Sequence, residues 1–121
     1  MNKIDVDLMA EFGEMADNIL ARKSLHRADS WKDGGLQAIA QLIRVKMARL
    51  TELSIRRDYG EEFGVAEQED LLDTFLDMYN YSRMGAVCLA QGLWFTGDTA
   101  YSPAKEIMDK FAEARHEMES V

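Results

Sequence analysis

The apolar residues of this chain recur mainly at three- and four-residue intervals, a spacing that places side chains on one face of an α-helix. The pattern predicts four helices, over residues 5–23, 36–57, 69–91 and 103–119. The loops between them are polar or contain glycine, and the chain has one proline and few β-branched runs. We therefore expect a single all-α domain over residues 1–121, a length that suits one core.

The first predicted helix carries one apolar stripe, with Glu14 and Asp17 on the opposite side. Glu11 lies at the edge of the stripe and faces either water or a site. The stripe consists of Leu8, Met9, Phe12, Met15, Ala16, Ile19 and Leu20. In the loop that follows, residues 24–35, Trp31 either fills the core or stacks on a ligand. His26 has no second His or Cys nearby, so we expect no zinc site.

The second predicted helix places a lysine in the middle of its apolar face. Leu36, Ile39, Ile43, Leu50 and Leu53 share that face. Lys46 falls among them, and Arg49 lies at the edge. Such a lysine either extends its ammonium group to water along an apolar stem or faces an acid or a phosphate. The pattern leaves both alternatives open.

The third predicted helix combines an acidic stripe with apolar residues on its other faces. Glu69, Asp70, Asp73, Asp77 and Asn80 follow one face at helical spacing. A helix that is apolar on several faces should be buried on several faces, so the carboxylates must be protonated, paired or bound to a cation. Carboxylates one turn apart suit Mg²⁺, with Mn²⁺ as a substitute. The alternative is pairing with Lys46, Arg49 or Arg83.

Apolar residues in the last third of the chain favour an oligomer. Gly92 is expected to cap the third helix, and Ser102-Pro103 to start the fourth. The loop residues Leu93, Trp94 and Phe95 need a cover from this chain or another. The fourth helix is expected to bury Ile107, Phe111, Ala114 and Met118. We expect a homodimer or a larger homo-oligomer.

The amino-acid composition narrows the classes of molecule that this protein is expected to bind. The net charge of −8 argues against general binding of DNA or RNA, which requires a basic surface. No apolar run is long enough for a membrane span or a signal peptide, and the single cysteine, Cys88, suits a reducing compartment. We expect a soluble cytoplasmic protein without a membrane partner.

Two motifs resemble a known family. The segment DTFLDMYNY, residues 73–81, is similar to the D-x-x-x-D-x-x-N-Y helix of small phage-associated domains grouped as nucleotide-modification-associated. Those domains are themselves similar to the MazG-like all-α nucleoside triphosphate pyrophosphohydrolases. The second motif is the loop ADSWKDGG, residues 28–35, followed by K-x-x-R-L at residues 46–50. Together the two motifs cover roughly residues 28–90.

The resemblance implies an oligomeric helical domain that handles nucleotides with Mg²⁺. It gives a metal-binding role to Asp73 and Asp77, and from the acidic stripe itself we expect Asp70 or Glu69 to assist them. It gives nucleotide contacts to Lys46, Arg49, Asn80, Tyr81, Ser30, Trp31 and Lys32. The chain departs from the pyrophosphohydrolases, which pair an E-x-x-E helix with an E-x-x-D helix. Here E-x-x-E occurs only at residues 11–14, and the second helix offers only Glu52.

The expected function is Mg²⁺-dependent hydrolysis of a (deoxy)nucleoside triphosphate to monophosphate and pyrophosphate. Lys46 and Arg49 would hold phosphate. The alternative is a non-catalytic module that binds a nucleotide or a phage or host component. A purely structural helical homo-oligomer is a third interpretation.

Overall fold

A computed structural model describes residues 1–27, 30–58, 60, 63–94 and 103–119, with side chains at 24–27 and 115–119 excepted. These residues form four α-helices and a short 3₁₀ turn, and no strand is found among them. The prediction of an all-α, four-helix domain is confirmed. No helix in the described part of the chain is long and apolar enough to cross a bilayer. The helices are α1 (Lys3–Arg27), α2 (Gly35–Asp58), α3 (Val65–Ala90) and α4 (Ala104–Glu119), and the 3₁₀ turn is Ser30–Lys32.

Two helices extend into segments that the sequence pattern assigns to loops. The helix α1 continues through residues 24–27, and α3 begins at Val65 rather than at Glu69. The earlier start of α3 has a local cause, because the Glu67 carboxylate accepts a 2.8 Å hydrogen bond from the backbone N–H of Gly64. That bond also lowers the pKa of Glu67. An acid at this position satisfies an N–H group that the helix itself leaves without a partner.

The end of α3 confirms the predicted role of Gly92. The residue adopts φ +72°, a conformation that glycine reaches without strain. Its N–H donates to Leu89 O at 3.2 Å, and the N–H of Leu93 donates to Cys88 O at 2.9 Å. These two bonds form a Schellman motif, which ends the helix and turns the chain back toward α2.

The helices α2 and α3 pack as an antiparallel hairpin that holds most of the core. Ile39 and Leu53 of α2 and Leu76 of α3 are buried. Gly85 lets the helices approach closely, since a Cβ at this position would lie 3.3 Å from Ile39 Cγ2. The predicted apolar face of α2 is therefore buried at Ile39 and Leu53 and half-buried at its other members, Leu36, Ile43 and Leu50.

The start of α2 is capped by residues that follow α3. Leu36 donates its backbone N–H to Leu93 O at 2.8 Å, and Gln37 donates to Trp94 O at 3.2 Å. The first N–H groups of a helix have no partner within the helix. Here the backbone carbonyls of Leu93 and Trp94, which follow α3 in the chain, accept hydrogen bonds from two of these N–H groups.

The helix α1 crosses α3 at a small residue. Ala16 is fully buried, and its carbonyl accepts a 3.1 Å hydrogen bond from the side-chain amide of Asn80. One turn earlier, the Phe12 ring packs edge-on against Tyr79 with 5.6 Å between centroids. Beyond this crossing, Leu8 and other members of the predicted stripe are exposed. Part of the stripe therefore lacks a cover among the residues that the structure describes.

The fourth helix departs from its predicted burial. Ala104 is buried at its start, but Ile107 and Phe111 are exposed, the latter by 72%, and Ala114 is exposed as well. Burial of these three side chains was predicted wrongly for the single chain. The side chain of Met118, together with Ser102 and Phe95, lies outside the described residues.

The expectation that α3 is buried on several faces is also wrong for one chain. Leu72, Phe75 and Tyr79 are exposed, although Leu76 on the same helix is buried. The α2 helix contacts one face of α3, and α1 contacts α3 between residues 12 and 23. An apolar helix in a small domain can therefore retain a face that no other helix covers.

Candidate functional site

Five charged side chains form ion pairs between α3 and its two neighbouring helices, α1 and α2. We call this cluster the charged seam, and it consists of Lys23, Lys46, Arg49, Asp70 and Asp77. The antiparallel packing of α2 and α3 creates this cluster, because residues of the two helices that lie far apart in sequence become neighbours in the structure. The seam joins acids of α3 to bases of the other two helices.

Asp77 is the centre of the seam. Its Oδ2 lies 2.9 Å from Lys46 Nζ, and its Oδ1 lies 3.3 Å from Lys23 Nζ. The Asp77 side chain is 19% exposed. Burial opposes ionisation, but the hydrogen bonds and charges of the two lysines outweigh it and lower the pKa of the Asp77 carboxyl. Asp77 is therefore an ionised carboxylate with two ammonium partners.

Lys46 faces the acidic helix, the second of the two alternatives that its sequence position allows. The hydrogen bond to Asp77 raises the pKa of Lys46, with further contributions from Tyr81 and Asp73. The side chain is 29% exposed, so its apolar stem packs in the seam while its head remains within reach of solvent. A ligand in the seam could therefore contact the ammonium group directly.

Arg49 forms the second ionic contact between the hairpin helices. Its guanidinium binds Asp70 of α3, and it also lies 3.2 Å from Glu52, one turn on along α2. Glu52 is exposed. Asp70 and Asp77, two of the four predicted metal ligands, thus have cationic partners.

The other two predicted metal ligands are exposed. No ion pair involves Glu69 or Asp73 in the described part of the chain, and both side chains face solvent. Asp73 is nevertheless close enough to raise the pKa of Lys46 by its charge. Among the described residues, no three His, Cys, Asp or Glu side chains form a ready metal cluster.

Asn80 and Tyr81, the predicted nucleotide contacts on α3, occupy different environments. Asn80 is buried and uses both ends of its amide, since Nδ2 donates to Ala16 O and Oδ1 accepts from Arg83. Tyr81 is half-buried and lies near enough to Lys46 to raise its pKa. In this structure Asn80 joins α1 to α3, whereas Tyr81 borders the charged seam.

The predicted contacts in the loop lie on the 3₁₀ turn that precedes α2. Ser30 is exposed, and Lys32 Nζ lies 5.4 Å from the centre of the Trp31 ring. Trp31 itself is half-buried and lines a pocket with residues of α1 and α3. Trp31 therefore lies at the boundary between the core and the surface.

Two contacts between α1 and α3 that organise this region were not predicted from the sequence. Lys23 reaches Asp77 from α1, and Arg83 joins α3 to Asp17 of α1. Arg83 also lies over the Tyr79 ring, with Cζ 4.7 Å from the ring centre. A sequence signal existed in Gly13 and Ala16, small residues on one face of α1 that allow another helix to approach closely.

The chain matches no protein-family model, no curated protein and no solved structure at a significant level. The likeness of its motifs to nucleotide-modification-associated and MazG-like domains therefore stays a prediction. What the structure adds is the geometry of the residues that carry those motifs.

Proposed function

We propose that the chain binds a nucleoside triphosphate with Mg²⁺ at the charged seam and hydrolyses it to a nucleoside monophosphate and pyrophosphate. The observation that supports this best is the convergence of Lys23 and Lys46 within 3.3 Å of one carboxylate, that of Asp77. Two ammonium groups on one acid provide more positive charge than that acid neutralises. A phosphate group is an anion of suitable charge for this position.

The predicted metal ligands fit a metal that arrives with its nucleotide. Mg²⁺ in nucleotide sites keeps several waters and uses one or two carboxylates together with phosphate oxygens. Asp73 is exposed beside the seam, and Asp77 lies one turn further along α3. These two carboxylates would hold the metal, which would offset charge on the triphosphate and orient an attacking water.

Binding in this way would exchange ion pairs rather than create unpaired charge. Lys46 would move its ammonium hydrogen bond from Asp77 to a phosphate oxygen, which frees an oxygen of Asp77 for the metal. Lys23, which is half exposed, would follow the same phosphate. Lys46 would then stabilise the charge that develops on the leaving pyrophosphate, an electrostatic contribution that is commonly large in catalysis.

The test compares two lysines that each pair with an aspartate. Lys46→Met removes the seam ammonium and keeps an apolar stem, whereas Lys105→Met removes the partner of Asp109 on α4. We expect Lys46→Met to weaken binding of Mg²⁺–dNTP by at least about tenfold and to lower pyrophosphate release from a dNTP panel. The Lys105→Met variant should behave as the wild type.

The metal requirement gives a second readout. Mg²⁺ with a dNTP should raise the Tm of the wild type by binding the folded state, and Asp73→Asn combined with Asp77→Asn should abolish the metal-dependent part. Binding without turnover would leave a nucleotide-binding module. A wild type that binds no triphosphate at millimolar concentration would refute both the hydrolase and the nucleotide-binding module.

A helical homo-oligomer is the second candidate, and exposed apolar residues favour it. Large apolar side chains are exposed on the first half of α1 and on α4, among them Ile4, Leu8, Met9, Ile107 and Phe111. A second copy of the chain would remove this surface from water. Light scattering should report at least a dimer at micromolar concentration, and Phe111→Asp should shift it toward monomer. A wild type that is monomeric throughout would refute this candidate.

A further inference from the structure

The first turns of α1 carry apolar side chains that no other described helix covers. Every residue from 1 to 11 is exposed, and burial begins at Phe12, which packs against Tyr79 of α3. Helices in proteins are stable mainly because an apolar face packs against another surface. The first turns of α1 therefore require a cover. Their large apolar side chains include Ile4, Leu8 and Met9, each more than half exposed.

The outer face of α3 joins this part of α1 at the Phe12–Tyr79 ring pair. Leu8 lies one turn before Phe12 on the same face of α1, and Phe75 lies one turn before Tyr79 on the same face of α3. Both Leu8 and Phe75 are exposed, so neither covers the other. We call the combined surface the apolar corner, and it consists of Ile4, Leu8 and Met9 of α1 with Leu72, Phe75 and Tyr79 of α3.

The helix α4 has an apolar stripe that its own chain covers only at the start. Ala104 is buried, whereas the remaining members of the stripe, Ile107, Met108 and Phe111, are exposed. The four residues follow the spacing i, i+3, i+4, i+7. This is the pattern with which an amphipathic helix docks into an apolar groove. The stripe is therefore suited to a surface such as the apolar corner.

We propose that α4 of one chain docks in the apolar corner of a second copy of the chain, and that the second copy makes the same contact in return. The inference rests on the helical homo-oligomer put forward above and names the surfaces that meet in it. Two equal contacts related by a twofold axis close the assembly at a dimer, whereas a single contact between two different surfaces would continue from molecule to molecule.

The exposed apolar area is sufficient for a stable dimer. A large apolar or aromatic residue offers about 200 Å² when nothing covers it. The exposed fractions in the apolar corner and on the α4 stripe then correspond to roughly 1,000 Å² in each chain. Two chains would remove about 2,000 Å² from water, whereas a stable interface of standard size buries about 1,600 Å² in total.

The charges beside the two surfaces are opposite in sign. At the apolar corner, the exposed carboxylates of Glu11 and Glu69 each lie three residues from an apolar member of the same helix. On α4, Lys105 and Lys110 border the apolar stripe at the same spacing. Lys105 pairs with Asp109 of its own helix, but exposed pairs of this kind contribute little to stability. Opposite charges at the rim favour the association of α4 with the apolar corner.

The first experiment introduces a charge into each surface separately. Phe75→Glu alters the apolar corner, Phe111→Asp alters the α4 stripe, and Val45→Glu is the control at an exposed position of α2 outside both surfaces. The wild type should be a dimer at micromolar concentration in sedimentation and light scattering. Phe75→Glu and Phe111→Asp should each raise the dimer dissociation constant at least about tenfold, and Val45→Glu should leave it unchanged.

Circular dichroism and Tm establish that the three variants are folded. A dimer that either Phe75→Glu or Phe111→Asp leaves intact would overturn the proposal. Equal weakening of the dimer by Val45→Glu would overturn it as well, because the effect would then not be specific to the two surfaces.

The second experiment mixes the two altered chains. The Phe75→Glu chain retains an intact α4, and the Phe111→Asp chain retains an intact apolar corner, so a mixed dimer regains one of the two contacts. It should therefore form at least about tenfold more tightly than either variant with itself. Native mass spectrometry with one chain labelled with ¹⁵N measures the mixed dimer. If α4 packs on α4, or corner on corner, every contact in the mixture has an altered side, and the absence of any gain on mixing would overturn the proposal.

The homo-oligomer and its mode of docking fail in different ways. A wild type that is monomeric at all concentrations refutes both. A wild-type dimer that persists in Phe75→Glu, or that gains nothing when the variants are mixed, retains the homo-oligomer and refutes the docking of α4 in the apolar corner. Neither result affects nucleotide binding at the charged seam, which Lys46→Met tests separately.

Discussion

The α2–α3 hairpin and the α4 helix follow the same kind of amphipathic pattern but differ in what the pattern achieves. In the hairpin, apolar positions such as Ile39, Leu53 and Leu76 are buried, and the helix ends are capped. In α4, the apolar positions Ile107 and Phe111 face solvent. Helical periodicity therefore identifies which face of a helix is apolar, but it does not identify what covers that face.

The largest expected effect separates the two regions by truncating one apolar residue in each. Leu53→Ala should lower the free energy of unfolding by about 2–5 kcal/mol, because it leaves a cavity in the hairpin core. Phe111→Ala should change it by less than about 0.5 kcal/mol in the monomer, because the ring is exposed. Denaturant unfolding at low protein concentration measures both.

Unfolding measurements at several protein concentrations test whether a second chain covers α4. If the ring of Phe111 is buried against a second chain, the effect of Phe111→Ala should grow as concentration rises. Equal destabilisation by the two variants in dilute solution would contradict the contrast, because it would mean that α4 packs on the hairpin.

A smaller effect is expected at the capping glycine of the hairpin. Gly92→Ala places a side chain at φ +72°, so it should destabilise the protein by about 1–2 kcal/mol. Gly13→Ala is the matched control, since a Cβ there would meet only Tyr79 Oη at 3.9 Å, an ordinary contact. That variant should stabilise the protein by about 0.5–1 kcal/mol through helix propensity. Thermal unfolding distinguishes the two, and a neutral Gly92→Ala would contradict the Schellman cap.

The smallest effect is the acid dependence of the charged seam. The pKa of Asp77 is lowered in the folded protein, so its stabilising contribution is present above the unfolded pKa of about 3.9 and is lost as the pH falls below it. Asp77→Asn should therefore remove up to about 1 kcal/mol of stability at neutral pH and little at pH 2–3. Tm measured against pH for wild type and variant gives the difference, and a difference that does not vary with pH would show that Asp77 does not act through its charge.

The sequence predicted the helices of this fold because their signals are local. Apolar periodicity located all four helices, and Gly92 marked the end of α3 correctly. The start of α3 was misplaced because acidic residues and two glycines resemble a loop, although Glu67 caps the helix. The orientation of Lys46 could not be decided, because it depends on Asp77 across the hairpin rather than on its own helix.

The candidate site depends still more on contacts between distant residues. Lys23 lies within the predicted first helix, but it approaches Asp77 because α1 crosses α3 at Ala16, which helical periodicity does not predict. The sequence suggested Arg83 only as a partner for the acids of its own helix, but Arg83 binds Asn80 and Asp17 and lines the pocket. Spacing within one helix identifies residues on a common face, whereas the partners of those residues follow from tertiary structure.

The capping of α2 by residues beyond α3 has a consequence for the order in which the hairpin acquires its final form. The amide protons of Leu36 and Gln37 are held by carbonyls 57 residues later in the chain. Closing so long a loop has an entropic cost, so the first turn of α2 should become ordered only after α3 has docked. Hydrogen exchange at the amides of Leu36 and Gln37 should therefore occur when the C-terminal end of α3 opens. Fraying at the start of α2 or at the end of α3 should expose both amides together.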